Sequence, residues 1–461
     1  MTSASLPEED CSCTTGGVLS EDFLRSADEQ LAATDELLAT SYPGDPGTRQ
    51  PVHTVYVPAD DFTPDLPRAW GERALAAVAE DGLDELARRI APPGTDPQIL
   101  GTVVQAVERK LLTEPIEDLR IDFEDGFGDR PDTEEDSQAV AAARAVARAV
   151  IAGTAPPFLG IRFKSLEAPT RARALRTLDL FVSTLVRGGG LAEAGISTDG
   201  LPPGLVLTLP KVSTLAQVQV MVSACEQLEQ QLGLASGRLR FEVQMETAPL
   251  IFGADGRSPL GDVIHRTGGR VEALHYGTYD YSDSLQIPAE QQSMEHPAAD
   301  HAKAVMQVAV AGTGVRLSDG STNILPLGDA AQRRKAWELH ARLVRRSLER
   351  GYYQGWDLHP AQLPTRFLAT YLFYVGGFEA AAERLRNYVE GLSSEVMDEP
   401  ATARALARFV HRGVRCGAIH EDLLLGASGL DASALSALAH PRAAAPAPAS
   451  PVLAAPGGSR S

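Results

Sequence analysis

The sequence predicts an α/β protein built on a (β/α)8 barrel, and three observations lead there. Between residues 50 and 360, eight short strand-like runs alternate with longer helical patterns. Several of those runs are near-continuously apolar, as expected of parallel strands buried on both faces. No G-x-G-x-x-G or G-x-x-x-x-G-K-[ST] phosphate turn occurs, which counts against a doubly wound open sheet.

Taken in order, residues 1–50 form an N-terminal helical extension around "SEDFLRSADEQLAATDELLATSYPGDPGTRQ". Residues 51–365 form the barrel. Its runs are "VHTVYVPA" (52–59), "DLRIDFED" (118–125), "FLGIRFK" (158–164) and "GLVLTLPK" (204–211). They continue with "LRFEVQME" (239–246), "VEALHYGTYD" (271–280), "GVRLSDG" (314–320) and "GWDLHP" (355–360). Helical patterns fill the gaps. "STLAQVQVMVSACEQLEQQLG" opens on a Ser/Thr cap and stops at a glycine, and "DAAQRRKAWELHARLVRRSLERG" has the same start and stop logic. Residues 366–440 make a C-terminal helical segment, with "RFLATYLFYVGGFEAAAERLRNYVEGL" and "EPATARALARFVHRGVRCG" as its helices. Gly376 and Gly377 are expected to break the first into two arms. Residues 441–461, rich in Ala, Pro, Gly and Ser, are expected to be disordered.

Composition narrows the function classes. The chain has 461 residues, is 44% hydrophobic and carries a formal charge of -19 from 42 basic and 61 acidic residues. That balance argues against nucleic-acid or anionic-membrane partners, which need a basic surface. No secretory leader and no apolar run of membrane-spanning length is read, and four cysteines fit a reduced, cytoplasmic protein. Cys11 and Cys13 form a C-x-C without further ligands nearby, and Cys225 reads as a small core residue.

The ends of the runs carry the chemistry. Asp60, Glu124, Asp125, Arg162, Lys164, Lys211, Glu246, Asp280, Asp319 and His359 all fall at strand ends. A barrel gathers these at its C-terminal rim, where such enzymes act. Glu246 and Asp280 close adjacent strands and suit a hard cation such as Mg2+, which takes a couple of carboxylates plus water and substrate oxygens. Arg162 offers a planar fork for a substrate carboxylate. A metal with an arginine and no cysteine or serine nucleophile fits carbon–carbon bond cleavage through an enolate whose oxyanion the metal holds. Lys211 and His359 are expected to touch substrate, with a solvated lysine and a capping or core histidine as the bland readings. Asp319 is a candidate general base.

The spelling of these strand ends resembles the HpcH/HpaI aldolase and citrate lyase β-subunit superfamily. "IDFEDGF" is similar to its L-D-L-E-D-A-V strand end, "GIRFKS" to V-R-[VI]-N and "LTLPKVSTLAQV" to L-P-K-V-E-[ST]. "VQMETA" resembles [IV]-E-T-A, "YGTYDYS" resembles G-x-x-D-[LY]-[ST], and "VRLSDG" resembles A-I-D-G. "GYYQGWDLHPAQL" resembles G-F-x-G-K-x-x-I-H-P-x-Q-[IL]. The matches run in one order along the barrel. The resemblance implies a barrel of the phosphoenolpyruvate/pyruvate-binding type and a Mg2+-dependent (or Mn2+-dependent) lyase. It implies Glu246 and Asp280 as metal ligands and Arg162 as the substrate clamp. It makes Glu124 an orienting rim carboxylate and His359 part of the strand-eight turn.

Asp125 stands where pyruvate aldolases of the HpaI branch carry a histidine, so the chain is nearer the citrate-lyase side. The expected substrate is a small carboxylate or an acyl-CoA. The alternatives are a malate-synthase-like condensation or thioester hydrolysis on the same barrel, and a barrel that only binds a ligand. The apolar first half of "TYLFYVGGFEAAAERLRNYV" needs a cover, which leads to an expected homo-oligomer, a trimer or its multiple.

Overall fold

The computed structural model describes residues 17–391 and 399–441. The expectations for Cys11, Cys13 and the tail beyond Pro441 lie outside the described residues. The chain divides into two compact units, one ending at Pro43 and one beginning at Gly44. The first contains the helix Glu21–Ser41, started by Ser20, whose hydroxyl accepts the Phe23 N–H at 3.2 Å.

The second unit holds eight parallel strands: β1 (His53–Pro58), β2 (Asp118–Asp122), β3 (Phe158–Arg162), β4 (Leu207–Leu209), β5 (Phe241–Met245), β6 (Val271–Tyr276), β7 (Arg316–Ser318) and β8 (Gly355–Asp357). From β1 to β7 each pairs with its neighbour in sequence, and β8 pairs with β1. The seam between β7 and β8 is closed by a parallel bridge between Ser318 and Gln354. There the Asp319 N–H donates to the Gln354 carbonyl at 2.8 Å and the Trp356 N–H to the Gly320 carbonyl at 3.1 Å. The protein is therefore a (β/α)8 barrel.

One sequence expectation changes here. The second and fifth runs are not apolar on both faces; they alternate. Leu119, Ile121 and Phe123 are fully buried in the apolar core, while Asp118, Arg120 and Asp122 occupy the intervening positions. On β5, Phe241, Val243 and Met245 alternate with Glu242 and Gln244. The polar set faces the barrel lumen, because β2 and β5 are not neighbours in the sheet and yet their side chains meet. Arg120 Nη2 donates to Glu242 Oε2 at 2.8 Å, and Arg120 is also paired with Asp118. Thr208 of β4 donates to Glu242 Oε1 at 2.6 Å, and His275 of β6 lies 3.1 Å from Glu242 Oε2. Such lumens are usually filled by branched apolar side chains; this one is filled by a buried ionic network in which each charge has a partner.

The helices form where their caps predict. Leu215–Leu232 begins with a Thr214/Gln217 capping box and ends on Gly233 in the left-handed region. Ala330–Glu349 begins with an Asp329/Gln332 box. Cys225 is fully buried within the former. No helix among the described residues is long and apolar enough to cross a membrane.

The C-terminal segment departs from expectation twice. Leu363–Glu390 is one continuous helix that runs through Gly376 and Gly377. The second glycine has a packing reason: a Cβ there would lie 2.7 Å from Cζ of Phe409, on the helix Pro400–Arg415 that packs alongside. The apolar first half of the long helix is also covered within its own chain. Leu363, Phe367, Leu368 and Tyr371 join the barrel core, and the helix packs on Pro97–Thr113 and Ala330–Glu349. The reason given above for assembly thereby falls away. A second network pins this helix to the barrel. Asp357 of β8 accepts from Arg366 at 3.0 Å and bonds to His53 at 2.8 Å and His340 at 3.0 Å.

Removing the central cation of the lumen leaves Asp118 and Glu242 buried and uncompensated. Arg120→Met is expected to lower stability by about 3–5 kcal/mol in urea unfolding. A loss below about 1 kcal/mol, the scale of an exposed pair, would mean that the network is not the lumen's organising contact.

Candidate functional site

The site begins with Asp122, the last residue of β2. Its Oδ1 accepts the Glu124 N–H at 3.0 Å and its Oδ2 accepts the Gly126 N–H at 2.8 Å, which folds the chain into a tight turn. Gly126 is required there, since a Cβ would lie 2.6 Å from Asp122 Oδ2. This turn presents Glu124 and Asp125 at the rim. The same carboxylate holds Arg162 on β3 in a fork, with Nε to Oδ1 and Nη2 to Oδ2, both at 2.7 Å. Arg162 Nη1 lies 3.1 Å from Glu124 Oε2, and its guanidinium stacks on Tyr56 of β1 at 4.7 Å.

Lys211, just after β4, joins the two halves of the site. It is one of two non-glycine residues with positive φ (49°) among those described. In that conformation its N–H donates to Glu246 Oε1 at 2.6 Å, while its ammonium bonds Glu124 and reaches both oxygens of Asp125 at 2.9 Å. Asp280 Oδ1 lies 3.9 Å from the same ammonium. Glu246 follows β5 and is 2% exposed. It fits only because residue 277 is glycine, where a Cβ would approach both Cβ and Oε2 of Glu246 to 2.7 Å. Asp280 lies in the first turn of the helix Thr278–Ser284.

The structure thus brings together Glu124, Asp125, Arg162, Lys211, Glu246 and Asp280. Their charges are unevenly balanced. Burial pushes the Glu246 carboxyl well above the usual range, and the nearby Asp280 and Glu124 push it further. Burial also raises Glu124 and Asp280. At Asp125, burial is outweighed by the Lys211 hydrogen bond and the nearby Arg162, and the group is held low. One side of the rim is neutralised by Lys211 and Arg162, while the Glu246 and Asp280 side is under-neutralised.

Two of the sequence-predicted residues are engaged by other partners. Asp319 is sealed under the β7 end at 1% exposure. Both of its oxygens lie 3.0 Å from Lys303 Nζ; Oδ2 also accepts from Ser347 Oγ at 2.6 Å, and Oδ1 from the Gly320 N–H at 2.8 Å. With those acceptor sites filled it has no free lone pair turned to the rim cluster. His359 takes the bland reading: its Nδ1 accepts the Ala361 N–H at 3.1 Å in a capping box, and its Nε2 lies 3.4 Å from Arg73. Asp60 pairs with Arg130 at 2.9 Å, and Lys164 donates to the carbonyls of Phe123 and Gly128. Sequence reasoning gave no role to Asp122 or Tyr56. The signal was the every-second-residue polar pattern Asp118, Arg120, Asp122, Glu124, which places Asp122 on the lumen face.

Fold and site define a (β/α)8-barrel protein with a carboxylate-rich C-terminal rim anchored by a buried arginine. The chain belongs to the family described as "Domain of unknown function (DUF6986)", whose model matches residues 31–443. No curated protein sequence matches it. Among solved structures it is similar to a Haloferax volcanii malate synthase magnesium/glyoxylate complex at 13% identity, covering 85% of this chain and 97% of that one, with a TM-score of 0.46. It is also similar to the M. tuberculosis citrate lyase beta subunit complexed with oxaloacetate and magnesium, at 15% identity over 70% of this chain and 98% of that one, with a TM-score of 0.38.

Asp122 carries both the turn and the arginine fork, whereas Glu124 makes a lesser contact with Arg162. Asp122→Asn is therefore expected to cost about 3–5 kcal/mol in denaturant unfolding, and Glu124→Gln distinctly less. The reverse order would assign the anchoring role to Glu124.

Proposed function

We propose that this rim is the active site of a divalent-metal-dependent carbon–carbon lyase of the aldolase or citrate-lyase type. Its substrate class is a 3-hydroxy acid or the corresponding CoA thioester. The observation that carries the reading is the convergence of Glu246, Asp280 and Arg162 at one end of the barrel, in the order that the motif resemblance implies.

The donor set fits a hard cation. Glu246 and Asp280 are oxygen ligands on the under-neutralised side of the rim, where a positive charge relieves the repulsion that raises their carboxyls. Among the described residues no group of three or more acidic, His or Cys side chains is arranged as a metal cage. Mg2+ does not require one, because one or two carboxylates with water and substrate oxygens satisfy it. Glu246 and Asp280 would hold the ion, which when bound supplies Lewis-acid polarisation of a substrate oxygen.

The protein's own groups do the positioning. Two of the five N–H donors of Arg162 are committed to Asp122. With Nη1 also 3.1 Å from Glu124 Oε2, the edge that these two carboxylates leave is what remains for a substrate carboxylate. Asp122 and the Tyr56 face fix the plane of that edge, so the substrate is oriented without reorganisation of the clamp. Glu124 restrains both Arg162 and Lys211, and Lys211 in turn holds Glu246 by its backbone N–H. The malate-synthase-like condensation and the thioester hydrolysis use the same metal and arginine and also need a general base. The decisive assay supplies Mg2+ or Mn2+ with malyl-CoA-like, citramalyl-CoA-like and 4-hydroxy-2-oxo acid substrates and follows release of the carbonyl product. A parallel assay supplies acetyl-CoA with glyoxylate as acceptor; consumption of both there, with no cleavage in the first assay, would replace the lyase reading by the condensation.

Three variants test the roles. Glu246→Gln and Asp280→Asn are each expected to abolish Mg2+ or Mn2+ binding in calorimetry while the fold persists, and unchanged affinity in both would remove the metal assignment. Arg162→Lys keeps the charge and loses the fork. A fall of about ten- to a thousandfold in kcat/KM is expected, and wild-type kinetics would make the arginine purely structural.

A further inference from the structure

The opposite end of the barrel contains a second polar cavity, unrelated to the rim. Because all eight strands are parallel, their N-terminal ends lie together, and the cavity is walled by Val52 before β1, Arg316 at the start of β7 and Tyr353 before β8. The remaining wall comes from the loop at residues 45–50 and from the C-terminal helices, which contribute Arg412, Arg415 and the histidines His411 and His440. About 40 Å3 is open to the centres of water-sized atoms. That is a few times what one water needs and is the scale of a small ion.

The charge count in this space is lopsided. Three guanidinium groups line it, against a single carboxylate, Asp45, which is already paired with Arg412 at 3.0 Å. Arg412 is further held by stacking on Tyr353 at 4.2 Å. Arg316 is the unbalanced member. Its Nη2 donates to Thr48 Oγ1 at 2.6 Å, and among the described residues no Asp or Glu oxygen lies within ion-pair distance. Arg316 is half-buried, and Glu272, Asp45 and Asp118 act on it only from beyond ion-pair distance, so its desolvation is incompletely compensated. In a chain of net charge -19, the local excess of cations runs against the whole.

A buried histidine adds a second, incompletely bonded polar group to this wall. His440 is 5% exposed, and its Nδ1 makes no hydrogen bond; the Asp45 carboxylate is 3.8 Å away. Its Nε2 lies 3.3 Å from Nδ1 of His411. The tautomer in which His411 donates puts the His440 proton on Nδ1, the side that faces Asp45 and the cavity. The loop passes over this ring only because residue 47 is glycine: φ is +70°, and a Cβ would lie 2.8 Å from Cδ2 of His440.

We propose that this cavity binds a small oxyanion of the phosphate class, held by Arg316 and bordered by His440, Arg412 and Arg415. The anion balances Arg316 and joins the barrel's N-terminal end to the C-terminal helices. The site stands on residues that the proposed lyase chemistry does not use, so it holds or fails independently of that reading.

The test uses the full chain, titrated with inorganic phosphate by calorimetry and thermal unfolding, with chloride at equal ionic strength as the control. At a hundredfold excess over Kd, phosphate is expected to raise Tm by about 3 °C. Arg316→Gln is expected to fold at least as well without phosphate and to bind it about tenfold or more weakly. Arg415→Gln, at the exposed border, is a second variant that leaves the fold intact and is expected to weaken binding to a lesser degree. Arg162→Lys, at the other end of the barrel, is expected to keep the full phosphate response. A phosphate monoester such as phenyl phosphate, run in parallel, separates a site for the free ion from one for the phosphate end of a larger molecule. A phosphate response no greater than that to chloride, or one kept in Arg316→Gln and lost in Arg162→Lys, overturns the proposal.

Discussion

A charge inside a barrel lumen has no water to turn to, and much of this structure follows from how that constraint is met. Arg120 reaches across from β2 to Glu242 on β5 and to Asp118 on its own strand. One step nearer the rim, Asp122 and Arg162 form a two-point pair across β2 and β3. Tyr56 stacks on Arg162, and its hydroxyl accepts from Gln244 at 3.3 Å. The lumen is thus a column of alternating charge. Removing one partner strands the others in low dielectric, which makes the column a stronger constraint on register than on net stability. A slip of one residue in β2 would turn its charges outward into the apolar layer beneath the helices.

The rim inherits its geometry from this column. Arg162 does not float at the barrel mouth; Asp122 fixes its plane, and the turn that Asp122 closes delivers Glu124 and Asp125. On the far side, Lys211 accepts a left-handed backbone conformation that a lysine seldom adopts, at a cost of roughly 1 kcal/mol. In return both of its donors, main chain and side chain, face carboxylates. Strain of this kind persists where the surroundings over-determine a residue, and here four carboxylates do so. The result is a site with one neutralised and one under-neutralised side, which is an arrangement suited to receiving a cation and an anionic substrate together.

The C-terminal helices complete the barrel rather than decorate it. Arg366, near the start of the long helix, is bound by Asp357, which also holds His53 on β1 and His340 on the preceding helix. That buried quartet ties first strand, last strand and last helices into one cooperative unit. Beyond it, Leu385, Val410, Leu424 and Leu435 form a small apolar core of their own among the final helices. The long helix continues through two glycines, and Phe409 occupies the room that Gly377 leaves.

Much of this was legible in the sequence. The eight strands, their order and the helix caps at Thr214, Gly233 and Asp329 are local properties, since propensity, period and turn chemistry act over a few residues. That Glu124, Arg162, Lys211, Glu246 and Asp280 share one rim follows from strand ends in a parallel barrel. What the sequence did not determine was which of those side chains would meet. Asp319 and His359 stand at strand ends too, yet one is captured by Lys303 and the other caps a turn. Arg162 was read as an open fork, and its Nε–Nη2 edge proved to be filled by Asp122. Those outcomes depend on barrel closure, which sets distances between side chains far apart along the chain to within an ångström. Hydrogen bonding and ion pairing are decided at that scale, and no pattern of residue types along a strand carries it.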